Sequence, residues 1–90
     1  MQNAKGTFTY TLTDETLAID TNDGLTRVSV YNSTAVDATI TGAKTVSGLA
    51  SEAITVSEGE TATIVVDEGY VLDGVTIVSP AGCTLQIIAN

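Results

Sequence analysis

Histidine and tryptophan are missing from this 90-residue chain, cysteine and proline occur once each, and only Lys5, Arg27 and Lys44 carry positive charge. Without histidine, and with Cys83 as the single cysteine, neither a zinc site of cysteines and histidines nor a Ser-His or Cys-His nucleophile pair can be assembled. A lone cysteine also excludes an intrachain disulfide. Set beside Thr84, Leu85, Ile87 and Ile88, it reads as a thiol packed in a strand like a small hydrophobe. Aromatic residues make up 4% of the chain, so the core has to be filled by Val, Ile, Leu, Ala and Thr instead of rings. The formal net charge of −8 repels a phosphate backbone and an anionic membrane surface alike, so no nucleic acid and no membrane is expected among the partners. It favours solubility, or docking on a basic protein face. No apolar run is long enough to span a bilayer, and Met1 to Tyr10 lacks the apolar stretch of a signal peptide, so synthesis and first folding in a cytoplasm are expected.

The residues present describe a small β protein. Hydrophobic residues amount to 43%, enough for one core in a chain of this length. That core is thin, and with neither disulfide nor metal to help, self-association is the remaining source of stability. Threonine is abundant, and its branched side chain suits the pleated face of a sheet while resisting helix.

Alternation of apolar and polar residues marks the strands. Residues 7–13 place Phe8, Tyr10 and Leu12 on one side and four threonines on the other, and Leu17 and Ile19 carry the alternation on to Asn22-Asp23-Gly24, a hairpin-type turn. Residues 25–31 follow, with Val28 and Val30 on one side and Leu25 out of phase or at a bulge. After the polar corner Asn32-Ser33-Thr34, Val36, Ala38 and Ile40 alternate with polar residues up to Gly42. Lys44 to Val46 reads as a brief pairing, and Ser47 to Ser51 as a loop from which Leu49 plugs the core. Ala53 to Val56 and Ala62 to Val66 read as a hairpin around Ser57-Glu58-Gly59-Glu60. Val71-Leu72, between two turn-like clusters, bends across an end of the domain. Val75 to Val78 and Cys83 to Ile88 read as a last hairpin around Ser79-Pro80-Ala81-Gly82, with proline at the second position of a type I turn. The expectation is an all-β fold, a small β-sandwich or jelly-roll-like barrel of about eight short antiparallel strands. Residues 1–6 form a flexible arm and 7–90 a single domain.

A search for chemistry returns little. The acidic residues Asp14, Glu15, Asp20, Asp23, Asp37, Glu52, Glu58, Glu60, Asp67, Glu68 and Asp73 could supply the two carboxylates of a glycosidase, but most sit in turns and the aromatic platforms such a site needs are few. Asp20 to Gly24 resembles half of a calcium loop without its later bidentate glutamate, and a tight turn explains the same residues. Asp67, Glu68 and Asp73 read as solvated turn carboxylates, and no glycine pattern of a phosphate-binding loop occurs. Asn32-Ser33-Thr34 matches the N-glycosylation rule but reads as a polar turn. Tyr31 and Tyr70 are candidate exposed stacking residues, and Tyr10 a core residue. No catalytic, cofactor-binding or metal-binding residue is predicted, no cofactor is expected, and the chain reads as a non-enzyme.

Three stretches, Ala53 to Glu60, Leu72-Asp73-Gly74-Val75-Thr76-Ile77 and Ala81 to Ile88, resemble small virion proteins of tailed bacteriophages, and Arg27 to Asn32 is similar in style. The likeness covers about half of the chain and rests on turn chemistry. It implies a head decoration or auxiliary capsid protein, often trimeric, that binds the major capsid protein or other virion proteins on the outer capsid surface and is assembled in the host cytoplasm. Bacterial surface and adhesion domains share the look, so a carbohydrate-binding or adhesive module is the alternative.

Overall fold

A computed structural model describes residues 8–42, 53–66, 69 and 71–90. The arm Met1 to Gly6, the pairing at Lys44 to Val46, the Leu49 plug, Asp67, Glu68 and Tyr70 lie outside the described residues, as do the side chains of Phe8 and Tyr10.

The fold is all-β, in line with the alternation. Eight strands are present: β1 (Phe8–Thr13), β2 (Thr16–Ile19), β3 (Arg27–Asn32), β4 (Ala38–Thr41), β5 (Ile54–Val56), β6 (Thr61–Val65), β7 (Val75–Val78) and β8 (Thr84–Ala89). They form two four-stranded antiparallel sheets, a front sheet in the order β1-β8-β3-β6 and a back sheet in the order β2-β7-β4-β5. The primary pairs are β1 with β8, β2 with β7, β3 with β6 and β4 with β5. That is one long hairpin, arms β1–β4 and β5–β8, rolled up so that its pairs fall in two facing sheets; β3·β8 and β4·β7 then complete each sheet. This is the eight-stranded jelly roll.

Rolling changes the meaning of the predicted hairpins. Each of the three turns is present, but the strands on either side belong to different sheets and do not pair with each other. Asn22-Asp23-Gly24 ends a 3-10 turn, Thr21–Asp23, that carries the chain from β2 to β3: Asp20 accepts from the Asn22 N–H, Asp23 accepts from the Asp20 N–H, and Gly24 closes it with φ +65°. Ser57 to Glu60 carries the chain from β5 to β6, held by the Glu60 N–H on the Ser57 carbonyl and the Ser57 N–H on the Glu60 carboxylate. At the third, the Cys83 N–H donates to the Pro80 carbonyl and Gly82 has φ +84°, so proline stands first and the positive-φ glycine third, as in a type II turn and not a type I. Residues 7–19 likewise divide into two strands in different sheets. Asp14, at φ +53°, turns the corner, and its carboxylate accepts from the Gly82 N–H at 2.9 Å.

Between the sheets lies one buried cluster, with Val28, Val30, Leu85 and Ile87 from the front meeting Ile19, Ile40, Val56 and Ile77 from the back. Leu72 is buried, its N–H donating to the Leu25 carbonyl at 2.7 Å, and both residues pack on the core at one end of the sandwich. The bend expected at Val71-Leu72 is therefore present, and Leu25 lies before β3 instead of within it. Near that end Gly42 (φ +84°) faces the Gly74 carbonyl so closely that a Cβ there would collide with it.

Candidate functional site

None of the eight strands carries an acidic residue: every carboxylate side chain among the described residues falls in a connection between strands. The antiparallel alternation sorts the connections by end. Asp14, Glu15, Asp37, Glu58 and Glu60 gather at the end where the chain passes from β1 to β2, β3 to β4, β5 to β6 and β7 to β8; Asp20, Asp23 and Asp73 lie at the opposite end. All eight are exposed. The outer faces of the sheets are left nearly uncharged, and among the described residues Arg27 is the one charged strand residue.

The first acidic end is rigidified by a polar knot that the sequence reading missed. Asn32, read as the start of a polar corner, is the last residue of β3 and fully buried. Its amide donates to the Val36 and Val56 carbonyls, both at 2.8 Å, and its Oδ1 accepts from the Thr34 N–H at 2.9 Å and the Thr34 hydroxyl at 2.7 Å. Its own backbone donates to the Glu60 carbonyl and accepts from the Gly59 N–H. Asn32 thus ties the β3–β4 connection to the β5–β6 connection, and Thr34 extends the tie to the Thr84 N–H where the β7–β8 connection ends. An amide so enclosed is no glycan acceptor. Ser79, also buried, donates to the carbonyls of Leu12 and Cys83. The Cys83 thiol is buried beside Asn32 Oδ1, consistent with a small core residue.

Nothing resembling a reaction centre is assembled among the described residues. The Asp20 and Asp23 carboxylates, read as part of a tight turn that resembles half of a calcium loop, are engaged with the backbone amides of that turn, and no group of three or more potential metal ligands occurs among the described residues. A groove of about 360 Å³ runs between the edge strands β5 and β6, lined by Ile54, Thr55, Val56, Glu60, Thr61 and Ala62, and its single carboxylate, Glu60, is engaged by the Ser57 N–H of its own turn.

The front face is the surface with a distinct composition. Its outward residues form rows across the sheet: Thr11, Gln86, Tyr31 and Thr61 in one, Thr9, Ile88, Ser29 and Thr63 in the next, Arg27 and Val65 beyond. Tyr31, Val65 and Ile88 are 40%, 64% and 50% exposed, and no outward residue of the back sheet is a comparably exposed large hydrophobe. Comparison with known families, curated proteins and solved structures finds no match to this chain.

Proposed function

We propose that this chain is a non-enzymatic structural protein of a bacteriophage virion, which decorates or cements the capsid by binding major capsid subunits and associates with copies of itself. The observation that carries this reading is the segregation of charge. Among the described residues, exposed carboxylates are confined to the ends of the jelly roll, and the end braced by Asn32 presents five of them on connections tied to one another. A stiff acidic end suits a basic protein surface, since little ordering of loops has to accompany docking. Jelly rolls occur among viral capsid domains, an analogy of fold that supports the reading without deciding it. The resemblance of the turn sequences to small phage virion proteins points the same way.

The test is cosedimentation of the purified chain with capsids lacking it. Binding is expected to saturate and to weaken as NaCl is raised from about 0.05 to 0.5 M, because the attraction between acidic end and basic face is screened. Pelleting no different from a neutral control protein would sink the proposal. Tyr31, exposed between Gln86 and Thr61, favours a second reading as a glycan-binding module, the jelly roll being also a lectin scaffold. A glycan array run with and without chelator separates the two.

A further inference from the structure

From the front face we infer that two copies of this chain pair through it as a two-fold dimer, front sheet against front sheet, around Ser29. This deepens the self-association in the functional reading by naming the surface, and it favours an isologous pair over the trimer that the phage resemblance implies.

Three observations converge on this face. First, neither sheet face carries a carboxylate on its strands, and of the two the front alone sets large exposed hydrophobes, Tyr31, Val65 and Ile88, on its outer side; a copy carrying −8 approaching either acidic end instead meets repulsion. A basic partner would be drawn to the ends for the same reason, which leaves the neutral face to a neutral occupant, and its own copy supplies one. Second, several of the polar groups there are already paired sideways: Thr13 with Thr84 at 3.2 Å, Thr11 with Gln86 at 3.4 Å and Ser29 with Thr63 at 2.9 Å. Covering these pairs costs less than covering lone hydroxyls, which lowers the desolvation cost of the face. Third, the register places Ile88 beside Ser29 in one row, Tyr31 one row toward the Asn32 end and Val65 one row the other way, an apolar rim around a small central side chain. Across a two-fold axis running along this row, Ile88 meets the partner's Ile88.

The molecule extends 36 × 30 × 18 Å, and the short axis matches the stacking direction of two sheets about 10 Å apart, so the broad face belongs to the sheets. That outline bounds the face from above, and a stable pair, at about 800 Å² from each partner, would use most of it. With the two-fold axis crossing the strands, Arg27 at one end of β3 comes to lie over the partner's opposite end, where Glu58 and Glu60 precede β6. The only charge on the face then meets an opposite one.

Sedimentation of the full chain over about 1–500 µM decides the matter, with Ile88→Lys as the front-face variant and Thr39→Lys, outward on the back sheet, as control. The expected result is a dimer for the parent chain and for Thr39→Lys, and at least about a ten-fold weaker dimer for Ile88→Lys, since two like charges meet near the axis. Should circular dichroism show Ile88→Lys unfolded, Val65→Lys makes the same test from the rim. A monomer throughout the concentration range, a trimer, or a dimer indifferent to both front-face lysines overturns the inference. A dimer that breaks as expected but ignores capsids leaves this interface standing and removes the virion reading instead.

Discussion

Asn32 shows how much one side chain can hold together. An asparagine amide offers two donors and one acceptor oxygen, and here all are used inside the protein, on connections far apart in sequence. Asn32→Ala would remove the partner of the Val56 carbonyl in a buried setting and those of the Val36 carbonyl and the Thr34 N–H in half-buried ones, and a loss in a fully buried setting costs about 1–3 kcal/mol before relaxation. The expected outcome in urea denaturation is a loss of about 2–4 kcal/mol, against a negligible change for Ser33→Ala at the exposed neighbour. Asn32→Asp should do no better, because it sets a carboxylate oxygen against two carbonyl oxygens. If the alanine variant unfolds at the parent's midpoint, the knot is not what braces this end. Sequence offered no warning here: Asn-Ser-Thr is as common in an exposed turn as in a buried one, and only the arrival of Val36, Val56 and Thr34 around the amide tells them apart.

Strands were legible from period-two alternation, and their edges within a residue or two; their partners were not. The firmest-looking local feature, Ala53 to Val66, contains two real strands and a real glycine turn, yet β5 lies in the back sheet and β6 in the front. A turn of four residues connects neighbours equally well by pairing them side by side or by stepping across the sandwich, and nothing local distinguishes the two. One signal was available and was missed. Phe8, Tyr10 and Leu12 occupy even positions whereas Leu17 and Ile19 occupy odd ones, and that change of phase marks the corner at Asp14. Hydrogen exchange tests the arrangement directly. In the β3·β6 ladder the Val66 N–H donates to the Thr26 carbonyl and the Asn32 N–H to the Glu60 carbonyl, so the amides of Ala62 and Ile64 point into the ladder and those of Thr63 and Val65 point away from it. Protection should therefore alternate along β6, by about a hundred-fold or more, with Ala62 and Ile64 slow. Uniform protection would mean that a second strand covers that edge.

Over the whole molecule, burial and charge are arranged on different parts of the chain. Strands supply the core and the neutral faces; connections carry the acid, eight of the described carboxylates at two ends with only Arg27 among them. Clustering at the ends concentrates the self-repulsion of a −8 chain, and it is screened when the Debye length falls from about 30 Å at 0.01 M salt to about 8 Å at 0.15 M. The melting temperature at pH 7 should accordingly rise when NaCl is increased over that range, and a flat or falling trend would show that the acidic ends are too far apart, or too well solvated, to matter. The same layout bears on assembly, since it leaves a broad face free of strand carboxylates available to a copy and two acidic ends available to a basic surface.

Composition and alternation alone determined that this is a small all-β domain with a thin aliphatic core, because period-two burial is a property of each strand by itself. They also located the turns, whose glycines and polar residues act over four positions. The order of strands in the two sheets, the burial of Asn32 and Ser79, and the neutrality of one broad face were decided only by the tertiary structure. Each depends on which distant segments lie side by side once the long hairpin rolls up, and no local preference encodes that.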